Sequence, residues 1–86
     1  MAKYRLLIKP SAVKEIEAIP FKKDRQRILE RIAKLADNPH PFGCEKLSGQ
    51  DKYRVRQGRY RIVYAVEDEI LLVYMVKVCH RKEVYS

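Results

Sequence analysis

The chain has 86 residues, 47% of them hydrophobic, and its 19 Lys and Arg against 11 Asp and Glu give a net charge of +8. That length holds one compact domain, expected to span residues 1–86, and the composition excludes a disordered chain. The positive surplus runs through both halves and favours a polyanion or an acidic protein as partner over a membrane or a small metabolite.

The two cysteines, Cys44 and Cys79, fit no zinc or haem spacing and make a weak case for secretion. They read as free thiols, buried or half-buried. The start, Met1 to Arg5, lacks the apolar stretch of a signal peptide. The longest uncharged apolar run, Ile70 to Val76, is too short to cross a bilayer. A cytoplasmic location is the expectation, and nothing in the chain calls for a cofactor or a metal.

Taken in chain order, Lys3 to Lys9 reads as a first strand closed by Pro10. Ser11 is the expected N-cap of a short helix with Val13, Ile16 and Ile19 as its apolar stripe, ended by Pro20. A second helix is predicted from about Lys22 to Asp37. Ile28, Leu29, Ile32, Leu35 and Ala36 share one face, and Glu30 and Lys34 stand as a favourable i,i+4 pair. The stretch Asn38 to Gly43, with prolines at 39 and 41, is a loop. After it the period changes from helical to alternating. Strands are predicted over Lys52–Gln57, Arg59–Val66 and Ile70–Cys79, with turns at Gly58 and at Glu67-Asp68-Glu69. The last strand is apolar on both faces and therefore central. The expected fold is α+β, in the order β-α-α-β-β-β, with a helical hairpin on one face of a twisted, mainly antiparallel sheet.

The richest segment is Tyr53-Arg54-Val55-Arg56-Gln57-Gly58-Arg59-Tyr60-Arg61-Ile62-Val63-Tyr64. Alternation puts Tyr53 and Val55 on one face and Arg54 and Arg56 on the other; in the next strand Tyr60, Ile62 and Tyr64 oppose Arg59 and Arg61. Like charges this close repel, so folding gains nothing from the cluster. An anionic ligand explains it, since arginine forks match phosphate oxygens. A solvated face with arginine stems over apolar surface is the competing reading. The C-terminal run Cys79 to Ser86 adds His80, Arg81 and Tyr85. A two-residue turn at Asp68-Glu69 would put Arg61 on the face of His80, and a three-residue turn would put it with Arg81. No Gly-rich phosphate loop, metal-ligand spacing or nucleophile–base motif competes. Glu45, just before the basic strand, is the one acid retained as a candidate.

With these residues in view, the chain resembles the RelE/ParE superfamily, the toxins of toxin–antitoxin pairs. The likeness spans nearly the whole chain in element order. It is sharpest in Lys46-Leu47-Ser48-Gly49, in Tyr53 to Arg56 with Tyr60 to Tyr64, and in His80-Arg81-Lys82-Glu83-Val84-Tyr85. The resemblance implies a RelE-like toxin domain whose partners are a cognate antitoxin, the ribosomal A site and mRNA. In the RelE branch it implies a metal-independent endoribonuclease that cleaves mRNA on the ribosome. Arg61, Arg81 and Tyr85 match that branch's catalytic arginines and tyrosine, and His80 matches the basic or His residue before the arginine. Arg54 and Arg56 stand where relatives carry lysines; with Arg59 and Lys52 they would bind RNA phosphate. The alternatives are a ParE-like toxin that inhibits DNA gyrase, and a non-catalytic binding member of the fold.

Overall fold

A computed structural model describes residues 3–47 and 52–80. Among these the elements run β1 (Arg5–Ile8), α1 (Pro10–Glu17), α2 (Lys22–Asp37), β2 (Glu45–Lys46), β3 (Lys52–Gln57), β4 (Tyr60–Glu67), a 3-10 turn (Asp68–Ile70) and β5 (Leu72–His80). They form one five-stranded sheet in the order β1-β5-β4-β3-β2. β1 runs parallel to β5 and every other pairing is antiparallel. Both helices pack on one face of this sheet, so the α+β expectation holds.

Several details differ from the sequence reading for identifiable reasons. Pro10 does not merely close β1; it opens α1 as the first helical residue, with extended Lys9 as the cap in place of Ser11. Proline's fixed φ suits that position, and its missing N–H is one the first turn leaves unpaired in any case. α1 buries Ala12 and Ile16, with Ile19 buried just past its end, while Val13 faces outward. It stops at Glu17 because the residue before Pro20 is driven out of helical geometry. The Arg25 guanidinium then donates to the Ile19 carbonyl and clamps the turn. On α2, Ile28, Ile32, Leu35 and Ala36 are buried but Leu29 is 48% exposed. Glu30 and Lys34 do not close to ion-pair distance among the described residues. β2, only two residues long, has no periodicity to announce it.

The core gathers α1 and α2 over Val55, Ile62, Tyr64, Val66, Val73, Met75 and Val78. Tyr64 is fully enclosed, its hydroxyl donating to the Pro39 carbonyl at 2.7 Å, and this contact pins the 38–43 loop over the sheet. Burial pushes the Tyr64 phenol up from its ordinary value. β1 covers β5 only as far as Met75. Beyond it the Val78 N–H donates to Glu15 of α1, whose other carboxylate oxygen lies 3.4 Å from Lys77 Nζ. That carboxylate caps a strand edge that would otherwise be open to pairing.

One irregularity decides what the far face displays. β4 and β5 stay in register from Glu67↔Leu72 to Tyr64↔Met75, then resume at Val63↔Lys77, so Val76 is an extra residue on β5. Such a bulge reverses which alternate residues face the helices. Before it Val73 and Met75 point inward; after it Val78 does.

Candidate functional site

β3 and β4 form a hairpin whose loop is Gly58-Arg59, closed by Gln57 opposite Tyr60. Gly58 has φ of +60°, the left-handed conformation that tight hairpin loops need and glycine adopts without strain. The register sets Lys52 opposite Ala65, Arg54 opposite Val63, and Arg56 opposite Arg61. These four cations therefore share the sheet face that the helices leave uncovered. Arg56 is exposed and Arg54 half-buried, whereas Arg61 is only 9% exposed. The Arg61 Nε is enclosed and has no hydrogen-bond acceptor. A buried donor without a partner, directly across from a second guanidinium, costs stability on both counts. The arrangement is suited to receiving an anion.

Among the described residues Glu45 is the acid that enters this face. It sits on β2 opposite Arg54, and the Arg54 guanidinium donates to its carboxylate at 2.6 Å. That hydrogen bond, helped by the charge of Arg54 and less by Arg56 and Arg61, holds the Glu45 carboxyl below its usual range. Glu45 is therefore ionised at neutral pH and a poor proton acceptor; it positions Arg54. Because the folded state lowers this pKa, the pair's contribution is complete above the ordinary carboxylate value of about 4.3 and fades as pH falls through the lowered folded value. Urea melts of the wild type and Glu45→Gln should thus differ by a constant amount above about pH 5 and converge toward pH 2. A difference that grows on acidification would contradict this assignment.

The remaining sequence candidates are divided. Arg59 and His80 lie at the hairpin end on the helix side, with Tyr60 and His80 meeting edge to face at 5.4 Å between ring centroids. They line a cleft of about 410 Å³ with Ile19 and the exposed Phe21. The residue across from Arg61 is Cys79, buried, not His80. Both turn lengths considered from sequence fail: four residues, 68–71, separate the paired Glu67 and Leu72, and the bulge at Val76 then resets the register. Leu71 takes the left-handed conformation to close that connection. Arg81 and Tyr85 lie outside the described residues, as do Ser48 and Gly49 of the 46–49 motif. Cys79 beside Arg61 and Glu15 at the β5 edge had no sequence signal, because each depends on the bulge or on a helix crossing a strand edge.

The geometry can be set against known proteins. The family model described as the ParE toxin of the type II toxin–antitoxin system parDE matches residues 6–85. A curated relative from Escherichia coli, described as a RelE-like toxin, is 33% identical over 89 residues, which is 98% of this chain and 92% of the relative. Among solved structures, an archaeal RelE–RelB complex from Pyrococcus horikoshii OT3 aligns with a TM-score of 0.82 at 33% identity, over 92% of this chain and 96% of that one. An E. coli RelE variant with two arginines replaced, in the free state, aligns with a TM-score of 0.76 at 29% identity, over 99% and 92%. The same helical hairpin on the same sheet thus recurs in these structures, and the chain belongs to the ParE toxin family of type II toxin–antitoxin systems.

Proposed function

We propose that this toxin is a ribosome-dependent mRNA endonuclease. The observation that carries the reading is Arg61, enclosed with an unsatisfied Nε on a face shared with Lys52, Arg54 and Arg56. Such a face binds phosphate and stabilises the charge that grows on it. The reaction is attack of an RNA 2′-OH on the adjacent 3′-phosphate, which breaks the P–O5′ bond and gives a 2′,3′-cyclic phosphate and a 5′-OH, the leaving oxygen taking its proton from solvent. The arginines stabilise the phosphorane electrostatically, since guanidinium does not release its proton near neutral pH. A base must take the 2′-OH proton. His80 lies across the sheet from Arg61, which favours Tyr85 for that role, with Arg81 adding charge at the phosphate. The partner that silences the toxin is a cognate antitoxin, supported by the RelE–RelB complex among the structural relatives.

The test maps mRNA 5′ ends in a translating extract with and without the protein, beside an Arg81→Ala control. New ends within ribosome-occupied codons, absent from the control, are expected. Intact mRNA together with DNA-damage signalling in cells would instead favour the gyrase-directed reading that the family description keeps open.

A further inference from the structure

The flank of α2 that turns toward β3 carries Arg27, Arg31 and Lys34, spaced i, i+4 and i+7, beside the buried stripe of Ile28, Ile32 and Leu35. With Glu30 and with Gln57 of β3 they line a cleft of about 230 Å³. Among the described residues none of the three cations is ion-paired, and the Arg31 Nε is enclosed without an acceptor. Three cations around a single carboxylate repel one another along the helix. The cluster thus repeats, on the helix side, the two features of the arginine face: crowded guanidinium charge and an orphaned donor.

The two surfaces meet at one place. Arg56 and Gln57 are successive residues of β3, so their side chains leave on opposite faces, one among the arginines and the other into the α2 cleft. Among the described residues β2 pairs with β3 only at Tyr53 and Arg54, so no strand pairs with that edge of β3 from Val55 to Gln57. A chain lying on the arginine face can cross that end of β3 and meet the α2 stripe. A polyanion with evenly spaced charges satisfies both clusters at once.

We propose that Arg27, Arg31 and Lys34 form a second phosphate-binding site, which holds the RNA backbone where it leaves the arginine face over the Gln57 end of β3. The inference rests on RNA being the substrate, and it adds that the toxin grips several nucleotides beyond the one cut. The site serves affinity and register, not chemistry. Its cost to folding is the repulsion between the three cations; its gain is a longer, salt-sensitive hold on the strand.

The test uses 2′-O-methyl oligouridines of about three and about ten nucleotides, which cannot be cleaved by 2′-OH attack, with binding followed by fluorescence anisotropy from 50 to 200 mM KCl. Arg27→Gln with Lys34→Gln removes two exposed charges and spares the part-enclosed Arg31; thermal melting verifies its fold. For the ten-mer this double variant is expected to lose on the order of tenfold in affinity. Its log–log salt slope should shrink by about 1.4, at roughly 0.7 per phosphate for single strands. The three-mer should be unaffected. Arg54→Gln with Arg56→Gln should weaken both oligomers. If the α2 variant binds the ten-mer like wild type while the β3 variant does not, the second site is overturned and the RNA reading survives. If neither variant alters binding, the RNA reading falls and takes this site with it. Unchanged RNA binding with weakened antitoxin binding would assign the stripe to an acidic protein and overturn the proposal.

Discussion

Arg61→Ala is expected to lower mRNA cleavage by about two to three orders of magnitude, the usual effect of deleting one preorganised donor to a developing oxyanion. Its stability should stay within about 1 kcal/mol of wild type. The two outcomes are linked by the same geometry. Among the described residues Arg61 is the most enclosed cation of the face, opposite Arg56, with a donor that has no acceptor. In the absence of RNA it contributes repulsion and an unpaired polar atom, offset by the packing of its stem. Removing it takes away that penalty along with the packing, and the two nearly cancel. On the proposed RNA substrate the balance would reverse, because the phosphorane formed during cleavage would supply both the charge and the acceptor. Arg61→Lys keeps the charge without the fork and should restore only part of the rate. Single-turnover cleavage in a translating extract, read beside urea melts, separates these effects. Wild-type cleavage by Arg61→Ala would remove Arg61 from the catalytic group; a large loss of stability would mean that it is held by contacts the structure does not contain.

How far the sequence revealed this arrangement depends on the length scale of the signal. α2 is long enough for its period to be unambiguous, and its predicted limits, Lys22 and Asp37, are those observed. The pairing of Arg54 and Arg56 on one face needed only alternation along a regular strand, and it holds. Whether Arg61 groups with His80 or with Arg81 needed more: a register carried across a turn and along the whole of β5. That strand is apolar on both faces, so an extra residue at Val76 leaves no trace in its pattern, yet it moves Cys79 to Arg61 and His80 to Tyr60. Leu29 fails for a related reason. An apolar stripe read from a helix alone is wider than the strip a sheet can cover, and only the packed structure shows its edge. Glu45 could be suspected from its place before the basic strand, but its partner Arg54 depends on a two-residue strand that no periodicity marks.

That edge of the stripe gives the second large effect, which is on stability. Ile32 is 1% exposed, in the middle of α2 with Ile28 and Leu35 around it, whereas Leu29 is 48% exposed on the same helix. Ile32→Ala removes three methyl or methylene carbons from an interior whose neighbours can only partly close the gap, at a cost of about 3–4 kcal/mol. Alanine's better helix propensity returns a few tenths of that. A domain of this size has only roughly 4–13 kcal/mol in total, so the loss is a large share. The melting temperature should fall by roughly 15–20 °C, with the denaturant m-value unchanged because the same surface is exposed on unfolding. Leu29→Ala, which deletes a similar volume from a half-wet position, should cost less than about 1 kcal/mol. Antitoxin present at a hundred times its dissociation constant would add about 2.7 kcal/mol and largely offset the loss. Ile32→Ala is therefore expected to unfold readily alone and to remain folded in the complex. Equal losses for the two leucine and isoleucine variants would mean that α2 meets the sheet through a different face.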